Sequence, residues 1–148
     1  VDAIIDHQDD MFTGWRIYKY HDRFGISKDS FSEDGLADVQ TRLNTEIFPM
    51  HLQFLEKRLK SSNAKNLWLG NTENPTICDF YWAPTLLDLK SGSTGDANLL
   101  NDFPAIREYI ERFNRIPEIF EYNNSSAKDI QDVEDPLSSI GNAGGDSV

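Results

Sequence analysis

The chain has almost no cysteine, few bases and no long apolar run, and each shortage removes a class of protein. Cys78 is the only cysteine among 148 residues, so no internal disulfide can form and no cysteine-rich zinc centre is available. A lone thiol fits a reducing compartment, and a cytoplasmic location is expected. Lysine and arginine number 14 against 25 acidic residues, giving a formal charge of −11 and a pI near 4.5. Such a surface repels phosphate backbones and anionic lipids, so neither nucleic acid nor membrane is expected as a partner. No apolar stretch approaches the roughly 18 residues of a membrane span, and no basic-then-apolar leader opens the chain. Val1 is not preceded by an initiator Met, which reads as a processed or truncated piece of something longer.

What is present is a composition that folds. Hydrophobic residues make up 39% of the chain and aromatics 11%, with three Trp and nine Phe, enough for one core at this length. Ile4, Met11, Trp15 and Tyr18 recur at helical spacing, with Ile5 and Phe12 widening the stripe, which predicts a helix over residues 1–23. Gly25, Ser27, Ser30 and Ser32 then mark a loop. Leu36, Val39, Leu43, Ile47, Met50 and Phe54 form the stripe of a second long helix, which Pro49 should kink by removing a donor and crowding the preceding turn.

A polar connection over 61–75 is interrupted by Leu67-Trp68-Leu69. Thr76 can then cap a third helix, with Asp79 reaching back from its third position and favouring the positive end of the dipole. This helix runs through Leu86, Leu87 and Leu89, with a bend expected at Pro84, and stops in Ser91-Gly92-Ser93-Thr94-Gly95. Pro104 opens the next, with Ile106, Tyr109, Ile110 and Phe113 inward, and Pro117 begins a last short turn. No four residues alternate as a half-buried strand requires. The expected fold class is all-α, a bundle of about five helices over residues 1–122. Residues 123–148, acidic and rich in Ser, Asn and Gly, read as a flexible tail.

Two segments go beyond pattern. Trp68-Leu69-Gly70-Asn71, followed by Pro75-Thr76-Ile77-Cys78-Asp79-Phe80-Tyr81-Trp82, resembles the C-terminal signature of glutathione S-transferases. Leu100-Asn101-Asp102-Phe103-Pro104, with Tyr109-Ile110-Glu111-Arg112-Phe113 and Ile116-Pro117, is similar to that family's closing helices. The opening Val1-Asp2-Ala3-Ile4-Ile5-Asp6 with Asp9-Asp10, and Pro49-Met50-His51-Leu52, resemble the sigma class. The resemblance implies a transferase C-terminal helix bundle, the half that holds the hydrophobic co-substrate and contributes to a homodimer. It also implies a thioredoxin-like half, absent from this chain, that binds and ionises glutathione, so no catalytic residue is expected here. The parent would conjugate glutathione to electrophiles or isomerise prostaglandin-like substrates. The alternative, from a different class, is a non-catalytic interaction module within a larger protein complex, as transferase-like C-domains also serve.

The same resemblance nominates site residues, each with an ordinary reading beside it. Asp10 would reach across the dimer to the glutathione amino group. Asp6, Asp9 and Asp10 match carboxylates that hold Mg or Ca between subunits, a ligand chemistry that suits hard cations. At i, i+3 and i+4 they are equally a solvated acidic face. Phe12, Trp15, Tyr81, Pro84 and Thr85 fall where the family lines its electrophile pocket, yet helical spacing also explains them as core. Thr76 and Asp79 read as structural caps, and Cys78 as buried and inert. His7, His21 and His51 do not cluster at ligand spacing.

Overall fold

The computed structural model describes residues 2–27, 30, 33–62 and 67–124. Six α-helices occur among them: α1 Asp2–Lys19, α2 Glu33–Arg42, α3 Phe48–Ser61, α4 Ile77–Ser91, α5 Pro104–Asn114 and α6 Pro117–Asn124. No strand appears among the described residues, so the fold class is all-α and they hold no thioredoxin-like half. By packing, the chain divides into residues 1–113 and 114–148. Of the tail expected over 123–148, everything beyond Asn124 lies outside the described residues. In the second unit, α6 opens on Pro117, where a missing N–H does no harm.

Within the first unit, α1 lies against α2, α3 and α4. Its buried side chains are Ile4, Gln8, Met11 and Phe12, one stripe at helical spacing. The helix ends four residues earlier than its periodicity predicts. Residues His21–Phe24 tighten into a 3₁₀ turn closed by Gly25 at φ 71, a left-handed conformation that glycine adopts without strain. His21 Nδ1 donates to the Ile26 carbonyl at 3.0 Å and fastens the reversal.

Pro49 disturbs its helix in a specific way. Between α2 and α3, Leu43–Ile47 widens into a π turn in which the Phe48 N–H donates to the Leu43 carbonyl. An ordinary α-turn would press the proline ring onto the Thr45 carbonyl and leave that carbonyl without a donor. Inserting one extra residue into the turn relieves the clash while α3 continues the same rod. The bulge also makes a docking point: Asn44 Oδ1 accepts from the Asp96 N–H at 3.0 Å. Gly95 fits there because it has no Cβ. A methyl group at that position would lie 2.8 Å from Asn44 Oδ1 and 2.9 Å from both Leu89 Cδ1 and Phe48 Cε2.

The centre of the unit is α4, with Cys78, Asp79, Trp82, Ala83, Leu86 and Leu89 all buried. The helix passes through Pro84 without a break. Its start is a hub. Asp79 is fully buried, and its Oδ1 accepts from the Leu69 N–H at 2.9 Å. Oδ2 accepts from the Thr76 N–H at 2.8 Å and the Thr76 hydroxyl at 3.0 Å, so one carboxylate secures both the helix start and the loop before it. Arg58 and Arg112 hold the same loop by donating to the carbonyls of Leu69, at 2.6 Å, and Leu67, at 2.8 Å. Asn71 turns the chain at φ 57, a left-handed position that Asn tolerates.

The start of α5 is capped from far away. Glu56 of α3 accepts from the Ala105 N–H at 3.1 Å and the Ile106 N–H at 3.0 Å, placing a carboxylate on the positive end of the helix. Lys60 sits 2.8 Å from the same group. Burial alone would raise the Glu56 pKa, but these hydrogen bonds and the Lys60 charge outweigh it and hold the carboxyl below its ordinary value.

Candidate functional site

Two of the residues nominated for a pocket, Tyr81 and Thr85, are tied to α1 by Gln8 where α1 packs on α4. Gln8 occupies the buried stripe of α1, one turn from Ile4 and one from Phe12, a place where a polar side chain needs partners. Its Nε2 donates to the Thr85 hydroxyl at 2.6 Å and to the Tyr81 carbonyl at 3.3 Å. Thr85 in turn donates to that same carbonyl at 3.0 Å. This arrangement fixes which way the amide faces, since a carbonyl can only accept. Gln8 Oε1 therefore points elsewhere, and it is buried with no hydrogen-bond donor among the described residues. The sequence carried one signal for Gln8: a lone amide inside an apolar stripe.

Around this link the nominated side chains separate into two groups. Tyr81 and Pro84 are exposed and Thr85 is partly so, all on adjoining turns of α4. Phe12 is buried, with its ring 5.5 Å from Phe48 and 6.3 Å from Trp15, so its surroundings are core. Trp15 lines a separate small cavity of about 160 Å³ with Tyr18, Gln40 and the Gly92–Gly95 loop. Ile77 (62% exposed), Phe80 (44%) and Tyr81 (44%) make the first turns of α4 unusually apolar toward the outside. Phe80 meets Phe113 edge-on at 5.4 Å.

The three aspartates of α1 behave differently from one another. Asp9 pairs with Arg16 at 2.9 Å, two turns along the same helix. Asp6 and Asp10 are exposed. Among the described residues no group of three or more His, Cys, Asp or Glu is arranged to hold a metal ion. Within the single chain Asp6, Asp9 and Asp10 are not gathered around one point. One of the three, Asp9, is already taken by an arginine.

Histidines that are scattered in sequence meet in space. His51 Nδ1 lies 3.2 Å from His7 Nε2, across the contact of α1 and α3, while His21 stands apart. The His7 ring lies 4.4 Å from Phe54. Burial, followed by the neighbouring His7, lowers the His51 pKa, with the Asp10 charge opposing. Their 44-residue separation hides this pair from any local reading. Two imidazoles without a third ligand form a hydrogen-bonded contact and no zinc centre.

Cys78 is buried and free. Its Sγ lies 3.0 Å from the Thr76 hydroxyl. Burial pushes the thiol pKa up and the Asp79 charge adds to this, against the hydrogen bond it shares with Thr76. A thiol kept protonated and out of solvent has no nucleophilic role.

The family model described as glutathione S-transferase, C-terminal domain, matches residues 21–126, well over half of the chain. The match begins after α1 and takes in everything from the 3₁₀ turn to the end of α6. No curated protein and no solved structure matches the chain.

Proposed function

The chain belongs to the glutathione S-transferase C-terminal domain family, and from that premise we propose that it is the hydrophobic-substrate and dimerisation half of a glutathione transferase. One observation carries the reading beyond the family itself. A helix whose other side is core presents Ile77, Phe80 and Tyr81 outward, with Pro84 and Thr85 continuing the surface one turn on. Large apolar groups exposed together at the start of a core helix suit an apolar ligand or a second folded body. In this reading the second body is the thiol-binding half, which binds and ionises glutathione.

The division of labour follows from chemistry. The other half supplies the thiolate. Tyr81, Pro84 and Thr85 hold the electrophile close, and Gln8 locks the α4 backbone behind them. The sulfur lone pair forms a bond to the electrophilic carbon while the leaving group departs with its electron pair. Rate then comes from a stabilised thiolate and from positioning. Asp10, exposed on α1, would meet the glutathione ammonium of the partner subunit in a homodimer. The sigma-like features of α1 and of residues 49–52 extend the reading to isomerisation of prostaglandin-like substrates.

The test uses the enzyme that carries this domain. It should be retained on glutathione-agarose and conjugate glutathione to an aryl halide. Asp10→Asn should raise KM for glutathione severalfold, and Tyr81→Ala should raise KM for the electrophile alone. A parent that neither binds glutathione nor conjugates it would leave the same apolar surface to a protein partner, as in an interaction module.

A further inference from the structure

A cavity of about 670 Å³ lies on another part of the fold, between α3 and the 3₁₀ helix Ala97–Asp102. That volume is within the range of small-molecule sites, roughly 300–1,000 Å³. Its apolar lining is Pro49, Leu99 and Phe103. Its charges are more informative, because most of them are already occupied. Lys60 is held by Glu56 at 2.8 Å, and Glu56 also accepts from the Ala105 and Ile106 N–H groups. Asp96 turns its carboxylate onto the Asn98 backbone at 2.9 Å and side-chain nitrogen at 3.0 Å, capping the 3₁₀ helix.

Two charged side chains are left over. Lys57, on the α3 wall, and Asp102, on the opposite wall, are exposed and make no ion pair with each other or with any described residue. A cation and an anion thus face one space across an apolar floor without neutralising one another. A ligand that satisfies both carries one charge of each sign on an apolar body.

We propose that this groove binds a zwitterionic amino acid or short peptide with a hydrophobic side chain. The α-carboxylate is taken by Lys57, the α-ammonium by Asp102, and the side chain by Leu99 and Phe103. Nothing in this assignment depends on the transferase reading, and either can fail alone.

Titration of the full chain with the dipeptide leucyl-phenylalanine, followed by calorimetry or amide chemical shifts, tests it. Free leucine and a tripeptide of the same character serve as the shorter and longer arms. Blocking the carboxylate as an amide, or the amine as an acetamide, should each weaken binding roughly fivefold, the scale of a partly exposed ion pair. Lys57→Gln should abolish the preference for a free carboxylate and leave the preference for a free amine. Asp102→Asn should do the reverse, and Lys57→Arg should bind as the unaltered protein does. Both positions are exposed, so far-UV circular dichroism of the variants should be unchanged. The proposal is overturned if no zwitterion of the three binds, if blocked and free ends bind alike, or if only one of the two charge removals matters.

Discussion

Removing the Asp79 carboxylate strikes the point on which the loop and the core helix both depend. Three N–H and O–H donors converge on a fully buried group, the Leu69 N–H at 2.9 Å, the Thr76 N–H at 2.8 Å and the Thr76 hydroxyl at 3.0 Å, with the weaker Cys78 thiol at 3.8 Å. Hydrogen bonds to a charged group contribute about 1.5–3 kcal/mol, and each buried donor left unmatched costs about 1–3 kcal/mol. In Asp79→Ala the hydroxyl can turn away, but two backbone N–H groups cannot. The expected loss is therefore about 4 kcal/mol. Asp79→Asn keeps one acceptor and turns an NH₂ toward the other donor, so about 2–3 kcal/mol is expected. Thr76→Ala removes one donor and leaves the carboxylate two, about 1 kcal/mol. Urea unfolding followed by tryptophan fluorescence reads all three variants, since Trp68 and Trp82 are buried. An Asp79→Ala protein within about 1 kcal/mol of the parent, or one no worse than Thr76→Ala, would refute the hub.

Glu56→Gln should lower stability by about 2 kcal/mol near neutral pH, because one of the two capped N–H groups then faces an amide NH₂. The folded carboxyl lies below its ordinary 4.5, so its contribution is complete above that pH and is lost as pH falls through the lower folded value. The gap between the two proteins in urea midpoint should accordingly close in acid, and a gap that widens there would contradict the cap. Gly95→Ala forces a Cβ to within 2.8 Å of Asn44 Oδ1 and 2.9 Å of two core carbons, Leu89 Cδ1 and Phe48 Cε2. A loss of about 1–3 kcal/mol is expected by thermal unfolding, and an unshifted melting temperature would show that the loop does not dock on the π turn.

Legibility in the sequence followed the range of each interaction. The pair Thr76 and Asp79 could be read because a capping box is completed within one turn of chain. Pro104 and Pro117 marked helix starts for the same local reason. Pro49 announced a disturbance, but its form was not legible. Whether a helix kinks, breaks or widens into a π turn depends on what waits beside it, here Asn44 receiving the 95–96 loop. Periodicity carried α1 past Lys19 to residue 23, since nothing in a stripe of apolar residues registers His21 folding back on Ile26. Among the site residues, Tyr81 and Thr85 were nominated by resemblance, and Gln8, which ties them to α1, was passed over inside an apolar stripe.

An all-helical class and the starts of α4, α5 and α6 beside Thr76, Pro104 and Pro117 were therefore determined by the sequence alone, because periodicity and capping act over three or four residues. Tertiary structure alone decided that Glu56 caps a helix 49 residues away, that His7 meets His51, and that Lys57 and Asp102 face one cavity unpaired. Such contacts are chosen by how whole helices settle against one another, and no pattern within a single turn encodes that choice.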